Sequence, residues 1–162
     1  MPVPAVILGA AQNYKFNDKF VVDIVKGLTE EEWRRRPSET ANDIAWIVGH
    51  VMWSRKMLLK RLGTDWSQPW LDLCARGSKV AAATELPTAE AMMADWKDVS
   101  AVLESALNGS SEEVLAQPAV NGPPNADGKV SGIVNFLAIH ETYHVGQAAY
   151  LKTWMGHKGP MG

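Results

Sequence analysis

The residues whose types and spacing point to chemistry lie in the segment His140-Glu141-Thr142-Tyr143-His144. On a helix, side chains four residues apart sit one above the other on the same face, so two imidazoles at this spacing reach a single ion. Neutral imidazole suits zinc, nickel, copper and iron. The competing reading is two polar residues in a helical core. Buried imidazoles need partners, however, and two of them on one apolar row are costly without a shared one. His50 lies in a separate apolar segment, about 60° around the helix from the row of Ile47. A lone histidine there is ordinarily just a satisfied one, although bundles do assemble metal sites from facing helices. His157 follows Gly156 in the tail and reads as exposed.

The same segment fits H-E-x-x-H, the zinc-protease pattern in which Glu141 would be the general base. The extended pattern requires a glycine three residues after the second histidine and a third histidine three further on. Gln147 and Tyr150 occupy those positions. The other version draws a carboxylate ligand from downstream, and no Asp or Glu lies between Val145 and Gly162. Glu141 falls about 100° from His140 on the helix, which places it on the helix surface or in a supporting role rather than in direct catalysis. Gln147, nearly a turn beyond His144, either lines the site or packs.

Length and composition narrow the setting. A chain of 162 residues suits a single domain, 1–162, and 46% hydrophobic residues is enough for a core. Net charge is −2 and no long basic run is present, so nothing invites a nucleic-acid backbone. Arg34-Arg35-Arg36 follows Glu30-Glu31-Glu32 and reads as a solvated helix end. The lone Cys74 offers neither a disulfide nor a paired metal knuckle, favours a reducing compartment and reads as a small buried residue. The apolar run Val3 to Ala10 has no basic residue before it and is too short to span a bilayer. The expected location is the cytoplasm, away from the membrane.

Helical periodicity supplies the elements that would position the histidines. A first helix is expected over Val3 to Gly27, with an apolar stripe of Tyr14, Phe16, Phe20, Val21, Ile24, Val25 and Leu28. Thr29 caps a short acidic helix that ends before Pro37. A second long helix, carrying His50, starts near Thr40 to Asn42, with Thr40 and Asp43 spaced as a capping box, and stops at Gly63. Thr64 to Pro87 reads as loop with a helical turn around Leu71 to Ala75. A third long helix spans Thr88 to Leu107 and buries Met92, Trp96, Val99, Leu103 and Leu107. A short acidic-capped turn follows at Ser110 to Leu115, and Gln117 to Gly128 is the strongest loop. The last helix runs from Ser131 to Met155, with an inward row of Ile133, Leu137, His140, His144, Ala148 and Leu151. Four long amphipathic segments and no alternating strand pattern give an all-α fold, a four-helix bundle with long connecting loops.

Several segments in order resemble the DinB/YfiT-like metal-binding family. His140 to Gln147 is similar to its H-x-x-x-H-x-G-Q motif, and Ile44-Ala45-Trp46-Ile47-Val48-Gly49-His50-Val51 looks like the helix bearing its first metal histidine. Tyr14 to Leu28 with Thr29 to Trp33, Pro87-Thr88 with Trp96, and the Asn121-Gly122 loop also fit. The resemblance implies a DinB-like bundle, often a homodimer, with a divalent ion, frequently zinc or nickel, on His50, His140 and His144. It further implies a metal-dependent S-transferase using a low-molecular-weight thiol, or a hydrolase, acting on a small electrophilic molecule. The alternative is a non-catalytic metal- or ligand-binding stress-response module.

Overall fold

A computed structural model describes residues 2–78 and 85–160; the part of the expected loop at 79–84 lies outside the described residues. The described chain is helical. Long helices α1 (Leu8–Val25), α3 (Ile44–Arg61), α4 (Ala89–Gly109) and α6 (Val130–Trp154) form the bundle, and short helices α2 (Glu30–Trp33) and α5 (Glu112–Ala116) lie in the connections. Short 3-10 turns precede α1 at Ala5–Ile7 and pack on α3 at Leu71–Cys74. No described helix is long and apolar enough to cross a membrane.

Local chemistry explains most boundaries. Thr29 Oγ1 accepts from the Glu32 amide and the Glu32 carboxylate accepts from the Thr29 amide, a reciprocal cap on α2. Thr88 and Ser111 cap α4 and α5 in the same one-sided way, through the amide three residues on. The five apolar residues expected to face inward on α4 are all buried. The start of α3 differs from the sequence expectation. Thr40 takes no part in a capping box; Asp43 is the cap, accepting from the Trp46 amide at 2.7 Å while Arg36 holds its second oxygen at 3.1 Å. A carboxylate at a helix N-terminus satisfies an orphan amide and the helix dipole together, which a threonine three residues earlier does not.

Two other expectations are corrected. Phe16 is 61% exposed, because the inward row of α1 is Ala10, Tyr14, Asn17, Val21 and Ile24. Asn17 is accommodated there by donating to Thr142 on α6. The arginine triplet is not a freely solvated end. Arg34 is tucked against the Pro87 carbonyl and Glu30, Arg36 pairs with Asp43, and Arg35 lies over the Trp154 ring. At the same end of the bundle, the ammonium of the buried Lys152 donates to the Asp23 and Lys26 carbonyls, placing a cation at the C-terminus of α1.

The centre of the bundle is polar. Arg55 on α3 and Glu141 on α6 have side chains only 1% exposed. They meet through two parallel hydrogen bonds, Nε to Oε2 at 2.8 Å and Nη2 to Oε1 at 2.6 Å. Asp18 on α1 makes an ion pair with the same Nη2 at 2.8 Å. Ser100 on α4 accepts from Nη1 and donates to Asp18. Trp96 stacks on the guanidinium, 4.1 Å from ring centroid to Cζ. One arginine on α3 therefore contacts each of the other three long helices.

Removing one member of such a pair leaves a buried charge without its partner. Glu141→Ala is expected to cost about 3–5 kcal/mol in urea unfolding monitored by circular dichroism. The joint replacement Arg55→Met with Glu141→Leu, which removes both charges, is expected to cost less than Glu141→Ala alone.

Candidate metal centre

The centre is built where α3 crosses α6. Gly49 is the local enabler on α3: a Cβ at this position would sit 2.5 Å from Cys74 Sγ and 3.1 Å from the Trp70 ring. Without a side chain there, the Leu71–Cys74 turn lies directly on the helix, and the Cys74 carbonyl comes within 2.8 Å of His50 Nδ1. A carbonyl only accepts, so Nδ1 carries the proton and the Nε2 lone pair is left for other use. The His50 ring is held between two indoles, stacked on Trp46 at 4.8 Å and facing Trp53 at 5.8 Å.

On α6, His144 Nδ1 meets Gln147 Oε1 at 2.8 Å, and Gln147 Nε2 donates to the Tyr143 hydroxyl at 3.0 Å. The amide oxygen fixes the proton of His144 on Nδ1, as the Cys74 carbonyl does for His50. His144 Nε2 then lies 3.1 Å from His140 Nε2. The three histidines present one nitrogen each, all within 4.8 Å of one another. His140 Nδ1 is buried and has no hydrogen-bond partner. Lone pairs converging on one point, with their far nitrogens pinned as donors on two of three rings, suit a divalent cation.

The electrostatics agree. Burial pulls the pKa of His50 and His144 below the ordinary value, more than the Cys74 carbonyl and Gln147 restore. His140 falls from 6.5 to about 4 through burial first, then the neighbouring His144, His50 and Arg76. All three rings are therefore neutral at pH 7, the form that binds metal. The Cys74 thiol is pushed up to about 12, mainly by burial, so its sulfur is not a nucleophile; only its carbonyl serves the site.

The sequence-designated histidines are thus brought together, while their neighbours require correction. Glu141 is not on the helix surface. It points into the core, with both oxygens engaged by Arg55, and cannot act as the base of an H-E-x-x-H protease. His157 is half-buried and held by Glu32 at 2.7 Å, apart from the centre. Gln147 lines the site through His144. The expected inward row of α6 is only partly buried, since Leu137 and His140 border a cavity; Val134, Ala138, Glu141 and Val145 are its more enclosed face. Arg55, Gly49 and the Cys74 carbonyl were not singled out from the sequence. The available signal was an arginine inside the apolar run Val51 to Leu59, one helical turn and a half beyond His50.

That cavity, about 630 Å³, opens against His50 and His140 between α3, α6 and the Asn121 to Pro124 loop. Its size is that of a small-molecule site. Residues 20–148, which include all three histidines, match a family model described as the DinB superfamily. No curated protein matches the chain.

Two outcomes are expected. Gly49→Ala displaces the Cys74 turn from His50 and weakens zinc binding about 10–100-fold in competition with a chromophoric chelator. The metal-free protein loses stability as pH falls from 6.5 toward 4, because the unfolded chain protonates these histidines first. Denaturation curves across that range read the loss, and His140→Gln should flatten it.

Proposed function

The chain belongs to the DinB superfamily, and from that premise we propose that it is a metal-dependent enzyme of small-molecule chemistry, a thiol S-transferase or a hydrolase. The carrying observation is the three neutral imidazoles of His50, His140 and His144, whose nitrogens lie within 4.8 Å, set beside a cavity rather than sealed in the core. These residues would hold a divalent ion, zinc or nickel. When bound, such an ion supplies Lewis acidity and lowers the pKa of a water or thiol, giving a nucleophile near neutral pH.

The protein's own groups have definite tasks in this reading. Cys74 and Gln147 hold the ring protons of His50 and His144 on the far side, so both rings keep their orientation and their lone pairs. Trp46 and Trp53 exclude water from both faces of His50. Arg55 keeps Glu141 engaged, so no carboxylate competes for a place at the centre. The cavity receives the electrophile beside His140.

A purely structural ion clamping α3 to α6 is the second reading. It accounts for the three ligands and leaves the cavity without a role.

Metal analysis by mass spectrometry, paired with a turnover screen, separates these. About one ion per chain is expected after reconstitution with zinc or nickel, with loss of the ion in His50→Ala and in His144→Ala. The loaded protein should consume chlorodinitrobenzene or a thioester or ester panel, with cysteine or glutathione as the thiol, and the histidine variants should not. An ion retained with no turnover across the panel favours the structural reading.

A further inference from the structure

The walls of the cavity beside His50 and His140 have a composition that specifies a ligand. Trp53, Met57, Phe136 and Leu137 give it a largely apolar and aromatic lining, and Arg61 and Arg76 are its charged residues. No carboxylate belongs to the wall among the described residues. The two arginines have different duties. Arg61 donates through Nη2 to the Val120 and Asn121 carbonyls at 3.2 and 3.1 Å, so its charge fastens the Asn121 to Pro124 loop that closes one side. Asn121 holds a left-handed backbone there, φ +54°, and Gly122 packs so closely on Ile133 that a Cβ would lie 2.6 Å from its Cδ1. The loop is a fixed wall. Arg76 makes no ion pair or hydrogen bond among the described residues, and lies two residues beyond the Cys74 carbonyl that holds His50. Its backbone is thereby tied to the centre while its guanidinium stays available at the cavity.

We propose that this cavity binds a small carboxylate with an apolar or aromatic body, the ring lying among Trp53, Phe136 and Leu137 and the carboxylate on Arg76. A guanidinium takes a carboxylate through two parallel hydrogen bonds, and Arg76, exposed at the edge of an apolar cavity, selects an anion over a neutral analogue of the same shape. The inference names the ligand class for the proposed function, and its recognition groups do not include the histidines.

The probe is 3-phenylpropanoate, with 3-phenylpropanamide as its neutral isostere, titrated into the metal-free and the zinc-reconstituted full chain. Binding is read from the indole N–H resonance of Trp53, assigned with Trp53→Phe. The carboxylate should shift that resonance in both forms, the amide should bind about tenfold more weakly, and Arg76→Gln should weaken carboxylate binding by about the same factor. Zinc content of Arg76→Gln should equal that of the unaltered protein. Equal affinity for acid and amide, or unchanged affinity in Arg76→Gln, overturns the assignment. Carboxylate binding by a chain that takes up neither zinc nor nickel would leave it standing and refute the metal centre instead.

Discussion

A guanidinium withdrawn from water is the constraint around which this bundle is arranged. Arg55 is 1% exposed, and an ion so placed is tolerated only if every helix around it contributes a partner. Here α6 gives Glu141, α1 gives Asp18, α4 gives Ser100 and Trp96, and the geometry of the two-pronged contact with Glu141 allows little sliding. An apolar seam between α3 and α6 would accept shifts of register at small cost. A bidentate ion pair does not, because a shift along the axis strands both charges. His50 lies five residues before Arg55, and His140 and His144 flank Glu141. The contact that locks the helices is therefore the contact that aligns the three imidazoles.

This arrangement divides one helical segment into two functions. In His140-Glu141-Thr142-Tyr143-His144, the histidines face the cavity side and the glutamate, about 100° away from His140, faces the core. The motif that in another fold supplies two ligands and a base here supplies two imidazoles that could hold an ion and a structural anion. Burial first, with the neighbouring Asp18 carboxylate, holds the Glu141 carboxyl above its ordinary range although Arg55 lowers it, and with both oxygens taken by Arg55 the group has no proton-transfer role. The work of orienting the rings falls to weaker, neutral acceptors, the Cys74 carbonyl and the Gln147 amide. Neutral acceptors fix the tautomer without adding negative charge to the site, which leaves more Lewis acidity to any ion held there.

The helices and the histidines were legible in the sequence because each is a local pattern. The stripe of α4, the cap at Thr29 and the i, i+4 spacing of His140 and His144 all depend on residues within one or two turns. What was not legible depends on contacts between distant segments. Glu141 read as either a surface residue or a supporting one, and only Arg55, eighty-six positions away, shows it to be buried in the core. Asn17 replaces Phe16 on the inner row of α1 only because Thr142 on α6 receives it. The importance of Gly49 is visible only once the Leu71–Cys74 turn is seen lying on it. His157 reads as a tail residue unless its partner Glu32 is known. Thr40 and Asp43 were read as the two ends of one capping box; Asp43 is itself the cap, and Arg36 holds its carboxylate in place.

Three histidines aligned by a buried ion pair would make an open metal centre. X-ray absorption at the zinc edge of the reconstituted protein tests it most directly. Three imidazole nitrogens at about 2.0–2.1 Å and one exchangeable light-atom ligand are expected, the latter replaced by sulfur at about 2.3 Å when a thiol is added. A shell of four protein ligands that no thiol enters, or a spectrum with fewer than three imidazoles, would contradict it.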